Sequence, residues 1–241
     1  MDKDQTEGER LKEVRRFLEL DFSKSSDLQD IVDLAAQVCD KPVALITLLD
    51  EKVSWVKVRS GRAFDVVPRE TSFCKFGIEQ DDILVIPDAS KDKRFDKNPL
   101  VQSDPNIRFY AAAPLILNNG LKLGTLCLFD SKPSEINFIQ KKALAVLSRQ
   151  VMYLMELKLG QLLLKKQLEQ TEARNESLRK IAVMQSHEIR HPLTSIMSLV
   201  QLIKDKLYAV DEHWLSMMIE ATNTLDNRIK AIVKETTADR K

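Results

Sequence analysis

Residues 184–192 read Met-Gln-Ser-His-Glu-Ile-Arg-His-Pro, which places His187, Glu188, Arg190 and His191 within five residues and Pro192 directly after them. Two kinds of chemistry suit this set. An imidazole beside a carboxylate can act as a nucleophile, with the acid taking the second ring proton and fixing the tautomer. Alternatively, His187 and His191 stand at i and i+4, which puts both imidazoles on one helix face. There they could share a zinc ion with Glu188 as the base. Such a site needs a third ligand, and Glu212, His213 and Glu220 are candidates only by their nearness in sequence. Pro192 removes one helical hydrogen bond and crowds the carbonyl of Glu188, so a bend is expected beside His187.

The elements that must hold these residues are helical. Downstream, Ile189, Leu193, Ile196, Val200, Ile203 and Leu207 recur at helical spacing. A second series, Leu215, Met218, Thr222, Leu225, Ile229 and Ile232, follows a short connection. Two amphipathic helices so joined form an αα-hairpin, and two hairpins would close a four-helix bundle. Upstream, a helix is expected to start at Ser134 and Glu135 and to run unbroken to the histidines. Leu147, Leu154, Leu168 and Ile189, with Leu157, Leu164 and Leu178, mark a seven-residue seam along it, interrupted by Thr171 and Asn175. That pattern fits a parallel dimeric coiled coil. With 182, 185 and 189 on the seam, His187 falls on the opposite side, facing water.

Residues 11–133 read differently. A short helix from Leu11 and a second after Ser26, whose Gln29 suggests a capping box, come first, and Pro42 should end the second. Val43–Leu49 and residues 53–58 make a hairpin, residues 83–86 a short strand, and residues 109–117 and 122–129 a second hairpin around Asn118-Asn119-Gly120. About five antiparallel strands flanked by helices give an α+β domain. The charged run 88–98 reads as a solvated lid, and residues 1–10 as a flexible terminus. The whole is then an α+β domain at 11–133, a coiled-coil helix at 134–180 and an all-α helical hairpin at 181–241 that forms a dimeric four-helix bundle.

A net charge of +1 over 241 residues gives no sign of nucleic acid or an anionic membrane as a bulk electrostatic partner, and none is expected. Cys39, Cys74 and Cys127 have no paired spacing and read as reduced core thiols of a cytoplasmic protein. No apolar run approaches the roughly 20 residues that span a bilayer, so no membrane contact is expected of this chain.

The segments "PVALITLLDEKVSWVKVRSG", "ETSFCKFGI", "LVIPDASKDKRFDKNPLV", "IRFYAAAPLIL" and "LGTLCLFDSKPSEI", in this order, resemble a GAF domain. That resemblance implies a sensory module with a ligand of unknown identity. Trp55, Phe73, Phe76, Phe109 and Tyr110 are candidates to line its pocket, although each is more readily read as a core or rim residue of a filled domain. No bilin is expected at Cys74, which has no neighbouring histidine. "SHEIRHPLTSI" is in turn similar to the phosphoacceptor segment of sensor histidine kinases of the dimerisation (HisKA) type. This second resemblance implies an enzyme of the protein histidine kinase family. In it His187 is phosphorylated from ATP and Mg²⁺ held by a separate ATPase domain, and the phosphoryl group passes to the receiver domain of a response regulator. Glu188 is the implied acid/base partner, and Arg190 and Pro192 match the family's basic and proline positions. His191 stands where Thr or Asn usually serves the phosphatase reaction. No ATP-binding motif follows within the chain, so activity is not expected of it alone. The further readings are a non-catalytic dimeric GAF ligand sensor and, from His187-Glu188-x-x-His191, a zinc metalloprotease.

Overall fold

The computed structural model describes residues 3–22, 25–62 and 64–238. The first two residues of the expected loose terminus and the last three of the expected hairpin lie outside that range. The chain divides into two compact units, one up to Leu163 and one from Leu164 onward.

The first unit is built on an antiparallel sheet of six strands in the order β3-β2-β1-β6-β5-β4. These are β1 (Val43–Leu49), β2 (Val53–Ser60), β3 (Val66–Pro68), β4 (Leu84–Ile86), β5 (Phe109–Ile116) and β6 (Lys122–Asp130). One strand more than expected is present, because Val66–Pro68, read as loop, pairs with the start of β2. The Asn-Asn-Gly turn joins β5 to β6 as the sequence indicates, with Gly120 at φ +85°. β1 and β6 lie at the centre, buried along nearly their whole length. Gly124 is required there: a Cβ on it would stand 1.8 Å from the carbonyl oxygen of Thr47 across the β1–β6 pair.

Alternation along the strands divides the core in two. One sheet face carries Ala44, Ile46, Leu48, Phe109, Ala111 and Leu128. It is covered by α1 (Lys3–Leu18), α2 (Ser26–Cys39) and the first turns of α5 (Phe138–Lys204), which contribute Val14, Phe17, Leu28, Val32, Val151 and Met155. The other face carries Val43, Leu45, Tyr110, Ala112, Cys127 and Phe129 under α3 (Cys74–Gly77) and the segment 88–107, which includes α4 (Pro99–Gln102).

Several expected boundaries shift for local physical reasons. Residues 3–10 are helical, not flexible: buried Arg10 donates to the Leu49 carbonyl at 2.6 Å and to Glu7, which also accepts from Arg69 at 2.8 Å. The N-cap of α2 is Ser25, whose Oγ accepts from the Leu28 amide. Its C-terminus is set before Pro42 by Asp40 in the left-handed region, where Lys41 N donates to Ala36 O and Asp40 N to Gln37 O. α5 begins at Phe138, three residues after the expected Ser134–Glu135 start. There Asn137 and Gln140 exchange side-chain-to-backbone hydrogen bonds of 2.9 Å in a capping box.

The second unit holds the remainder of α5 and α6 (Glu212–Ala238), the expected αα-hairpin. α5 ends in a Schellman turn with Lys206 at φ 59° and Leu207 N donating to Leu202 O at 2.9 Å. Asp211 caps α6 by accepting from the Trp214 amide at 2.7 Å. The two helices are tied by the Trp214 indole N–H, which donates to the Leu199 carbonyl at 3.1 Å. No helix among the described residues is long and apolar enough to cross a membrane.

Candidate functional site

On the hairpin, α5 runs without interruption through Pro192, which is buried. His187, Arg190 and His191 are all exposed. Glu188 is half-buried, and its Oε2 lies 3.6 Å from the Arg228 guanidinium of α6. Arg228 escaped the sequence reading because α6 was read only for its apolar series. His191 and Pro192 line an open groove of about 460 Å³ between α5 and α6, together with Leu199, Met217, Glu220 and Ala221. His187 and His191 therefore differ in setting, one presented outward and the other at the hairpin groove. Among the described residues no group of three or more His, Cys, Asp or Glu side chains is gathered to hold a metal ion. The third ligand demanded by a two-histidine zinc site, sought in Glu212, His213 or Glu220, is thus not brought to the pair.

The expected seam is only partly free. Leu147 and Leu154 are partly buried against the helix-covered core of the first unit, which takes up part of their surface. From Leu157 onward the seam is open, with Leu157, Leu164, Leu168 and Leu178 all more than half exposed. The polar breaks Thr171 and Asn175 fall within that open stretch, where Thr171 Oγ1 returns a hydrogen bond to Gln167 O.

In the first unit the five candidate pocket residues do not come together. Phe73, Phe76 and Tyr110 belong to the sheet face beneath α3. Phe109, next to Tyr110 on β5, points to the helix-covered face, as strand alternation requires. Trp55 pairs with Leu48, a residue of that same helix-covered core, and is 38% exposed. The place of these two is taken by Phe95, from the run read as a solvated lid. Its ring is fully buried and stacks on Phe73 with centroids 4.2 Å apart, and Phe76 meets it edge-on at 4.8 Å. The guanidinium of Arg94, held by Asp92 at 2.6 Å, lies over both Phe76 and Phe95. A single phenylalanine flanked by Arg94 and Asp96 was the available signal, and the surrounding charge masked it.

Beneath these rings sit the groups of this face able to do chemistry. Cys74 is buried and accepts from Thr47 Oγ1 at 3.2 Å and from the Tyr110 hydroxyl at 3.5 Å. Thr47 Oγ1 lies 3.0 Å from Thr125 Oγ1. A hydrogen bond from Cys127 holds the Cys74 thiol well below its usual range, with Thr125, Thr47 and Tyr110 adding to the effect against burial. The same bond, then burial, push Cys127 up. Burial raises Tyr110, and the charge on Cys74 adds to it.

Residues 26–155, more than half of the chain, match the family described as GAF domain. A curated relative, a cyclic di-GMP phosphodiesterase of Pseudomonas aeruginosa, is 40% identical over 105 residues, which are 44% of this chain and 18% of the relative. The match thus spans less than a fifth of that protein's length. Among solved structures, the GAF domain of an Acinetobacter phosphoenolpyruvate-protein phosphotransferase is 18% identical, with a TM-score of 0.46 over 65% of this chain and 95% of its own. A free methionine-R-sulfoxide reductase of Neisseria meningitidis is 13% identical, with a TM-score of 0.45 over 64% of this chain and 85% of its own. These findings correct one expectation. The curated relative is a phosphodiesterase, a different enzyme class from the histidine kinases, and a GAF domain by itself is sensory, so the chain is not assigned as a histidine kinase enzyme. The antiparallel sheet, its two-sided core and the matched stretch agree: the chain belongs to the GAF domain family.

Proposed function

We propose that the chain is the sensory and relay part of a signalling protein. The GAF domain receives the signal, α5 joins two copies in parallel along its open seam, and the α5–α6 hairpin carries the output. The observation that supports this reading most directly is the double use of one helix. The first turns of α5 are buried on the sheet through Val151, Met152 and Met155, and the same helix then exposes Leu157, Leu164 and Leu168 at coiled-coil spacing. A change in the domain core would alter the first turns of α5 and, with them, the seam. The cyclic di-GMP hydrolysis of the Pseudomonas relative is not carried to this chain, because the shared stretch is 18% of that protein.

A finer reading concerns His187, favoured by its exposure and by the Arg228–Glu188 contact beside it. His187 is a phosphoacceptor, served by an ATP- and Mg²⁺-binding domain supplied separately, and it hands the phosphoryl group to a receiver-domain aspartate. The chain is the acceptor in this step, not the catalyst. Transfer requires a neutral imidazole in line with the γ-phosphate, and Glu188 positions the second ring nitrogen.

The test combines the chain with an isolated histidine-kinase ATPase domain and γ-labelled ATP, and measures self-association by sedimentation. Acid-labile, alkali-stable label on the wild type, absent from His187→Gln, is the expected result. A folded dimer that takes no label overturns the phosphoacceptor reading and leaves the relay. A folded monomer at all concentrations overturns the relay itself.

A further inference from the structure

The relay uses α5 from Leu157 onward, yet an exposed apolar stripe on that helix begins earlier. Ile139, Val146 and Tyr153 follow one another at intervals of seven residues and are 74%, 38% and 56% exposed. Val146 and Tyr153 stand one position before Leu147 and Leu154. That step turns them about 100° round the helix, out of the core that half-buries those leucines. Leu157, four residues after Tyr153, carries the stripe into the open seam, and Leu164 lies seven beyond it. The end of α2 adds to the surface where the stripe begins. Gln140 Nε2 donates to the Val38 carbonyl at 3.1 Å, which holds α2 against the first turn of α5, and Leu34 and Val38 are themselves exposed. Gly160, seven residues after Tyr153, is exposed, and a Cβ built on it meets nothing within 4 Å among the described residues. Glycine inside a helix weakens it, and open space does not offset that loss. A second backbone passing close by does use the missing side chain.

We propose that this face of the GAF domain, from Ile139 to Gly160 on α5 with the end of α2 beside it, is an interface with a second copy of the same chain. The proposal rests on the relay read above and deepens it: the two sensor domains touch one another, and their contact runs on into the coiled coil. Two arguments name the occupant. A seven-residue period brings each stripe residue onto its own counterpart when two identical helices run parallel, so the face is self-complementary. The second argument is continuity, because α5 is one unbroken helix from Phe138 through the seam. Tyr153 precedes Leu157 by about 6 Å of helix axis at 1.5 Å per residue. A second helix paired at Leu157 and Leu164 therefore lies alongside Tyr153 as well, and a different protein on the stripe would have to displace it. The opposite side of the same turns is packed on the sheet through Leu144, Val151 and Met155. A change in the domain core thus reaches the contact between copies across the width of one helix.

The test uses the full chain with one cysteine added at a time, since Cys39, Cys74 and Cys127 are buried in the folded protein. Ile139→Cys, Tyr153→Cys and Leu168→Cys are each oxidised with copper phenanthroline. The wild type and Lys141→Cys serve as controls, Lys141 being exposed two residues on from Ile139 and so on the other side of the helix. Covalent dimers of all three stripe variants, released by dithiothreitol and absent from both controls, are the expected result. In sedimentation, Tyr153→Asp should weaken self-association about tenfold or more, and Lys141→Asp should leave it unchanged. Cross-linking at Leu168 without cross-linking at Ile139 and Tyr153 overturns the shared domain face and leaves the relay standing. Cross-linking of Lys141→Cys to the same extent as the stripe variants also overturns the face. A folded chain that cross-links at none of these positions overturns the face and the relay together.

Discussion

Glu7 offers a quantitative test of how the N-terminal helix is secured. Its carboxylate is clasped by Arg10 at 2.7 Å and by Arg69 at 2.8 Å, and its pKa is lowered from 4.5 to about 2, chiefly by the Arg10 hydrogen bond, with Arg69 adding to it against burial. A carboxylate with a depressed folded-state pKa stabilises the fold fully above pH 4.5, and that contribution fades as pH falls towards 2. The depression corresponds to roughly 3 kcal/mol at about 1.4 kcal/mol per tenfold change. Because the side chain is 38% exposed, water screens much of it, and about 1 kcal/mol is the expected net contribution. Glu7→Gln should therefore lower the urea midpoint of the first unit by about 0.5 M at pH 7, taking a slope of about 2 kcal/mol/M. Trp55 fluorescence in a Trp214→Phe background reports on that unit alone. At pH 2 the difference should largely vanish. Equal midpoints at pH 7, or a difference that persists undiminished at pH 2, would refute the view that this ion cluster anchors α1.

Gly124→Ala should cost about 3 kcal/mol or more, since its Cβ would overlap the Thr47 carbonyl in the central pair of strands; a lost or much lower thermal transition checks this. Leu164 and Leu168 should separate association from folding. Leu164→Ser with Leu168→Ser is expected to shift sedimentation towards monomer while the melting of the first unit stays unchanged. Leu154→Ala, on the same seam in sequence but packed on the core, should instead lower the stability of the first unit by about 2 kcal/mol. If Leu154→Ala weakens association and leaves that melting untouched, the division of the seam at Leu157 is wrong.

Much of the domain was legible because local signals and tertiary packing agree. The Asn-Asn-Gly turn fixes the β5–β6 hairpin through a positive φ at Gly120, and the apolar run Val43–Leu49 becomes the fully buried central strand. The hairpin after Pro192 follows from helical spacing alone. The terminus was misread because Glu7 and Arg10 look like solvated charges until Leu49 and Arg69, distant in sequence, arrive as partners. The pocket list failed for a simpler reason. Strand alternation puts the neighbours Phe109 and Tyr110 on opposite sheet faces, and the pairing of Trp55 with Leu48 sends it away from the α3 face, which the hydrophobicity of an aromatic side chain does not disclose.

By itself the sequence determined the type of most elements, β3 and the helical residues 3–10 apart, because helix and strand periodicity is carried within one stretch of chain. Tertiary structure decided which periodic positions were already occupied: α5 spends Leu147 and Leu154 on the sheet and leaves Leu157 onward open. It alone brought Phe95 onto Phe73 and put Cys74 beside Thr47 and Tyr110. Those contacts join segments far apart in the chain, and hydrogen bonding across strands and the burial of charge act through space, where no single stretch of sequence carries them.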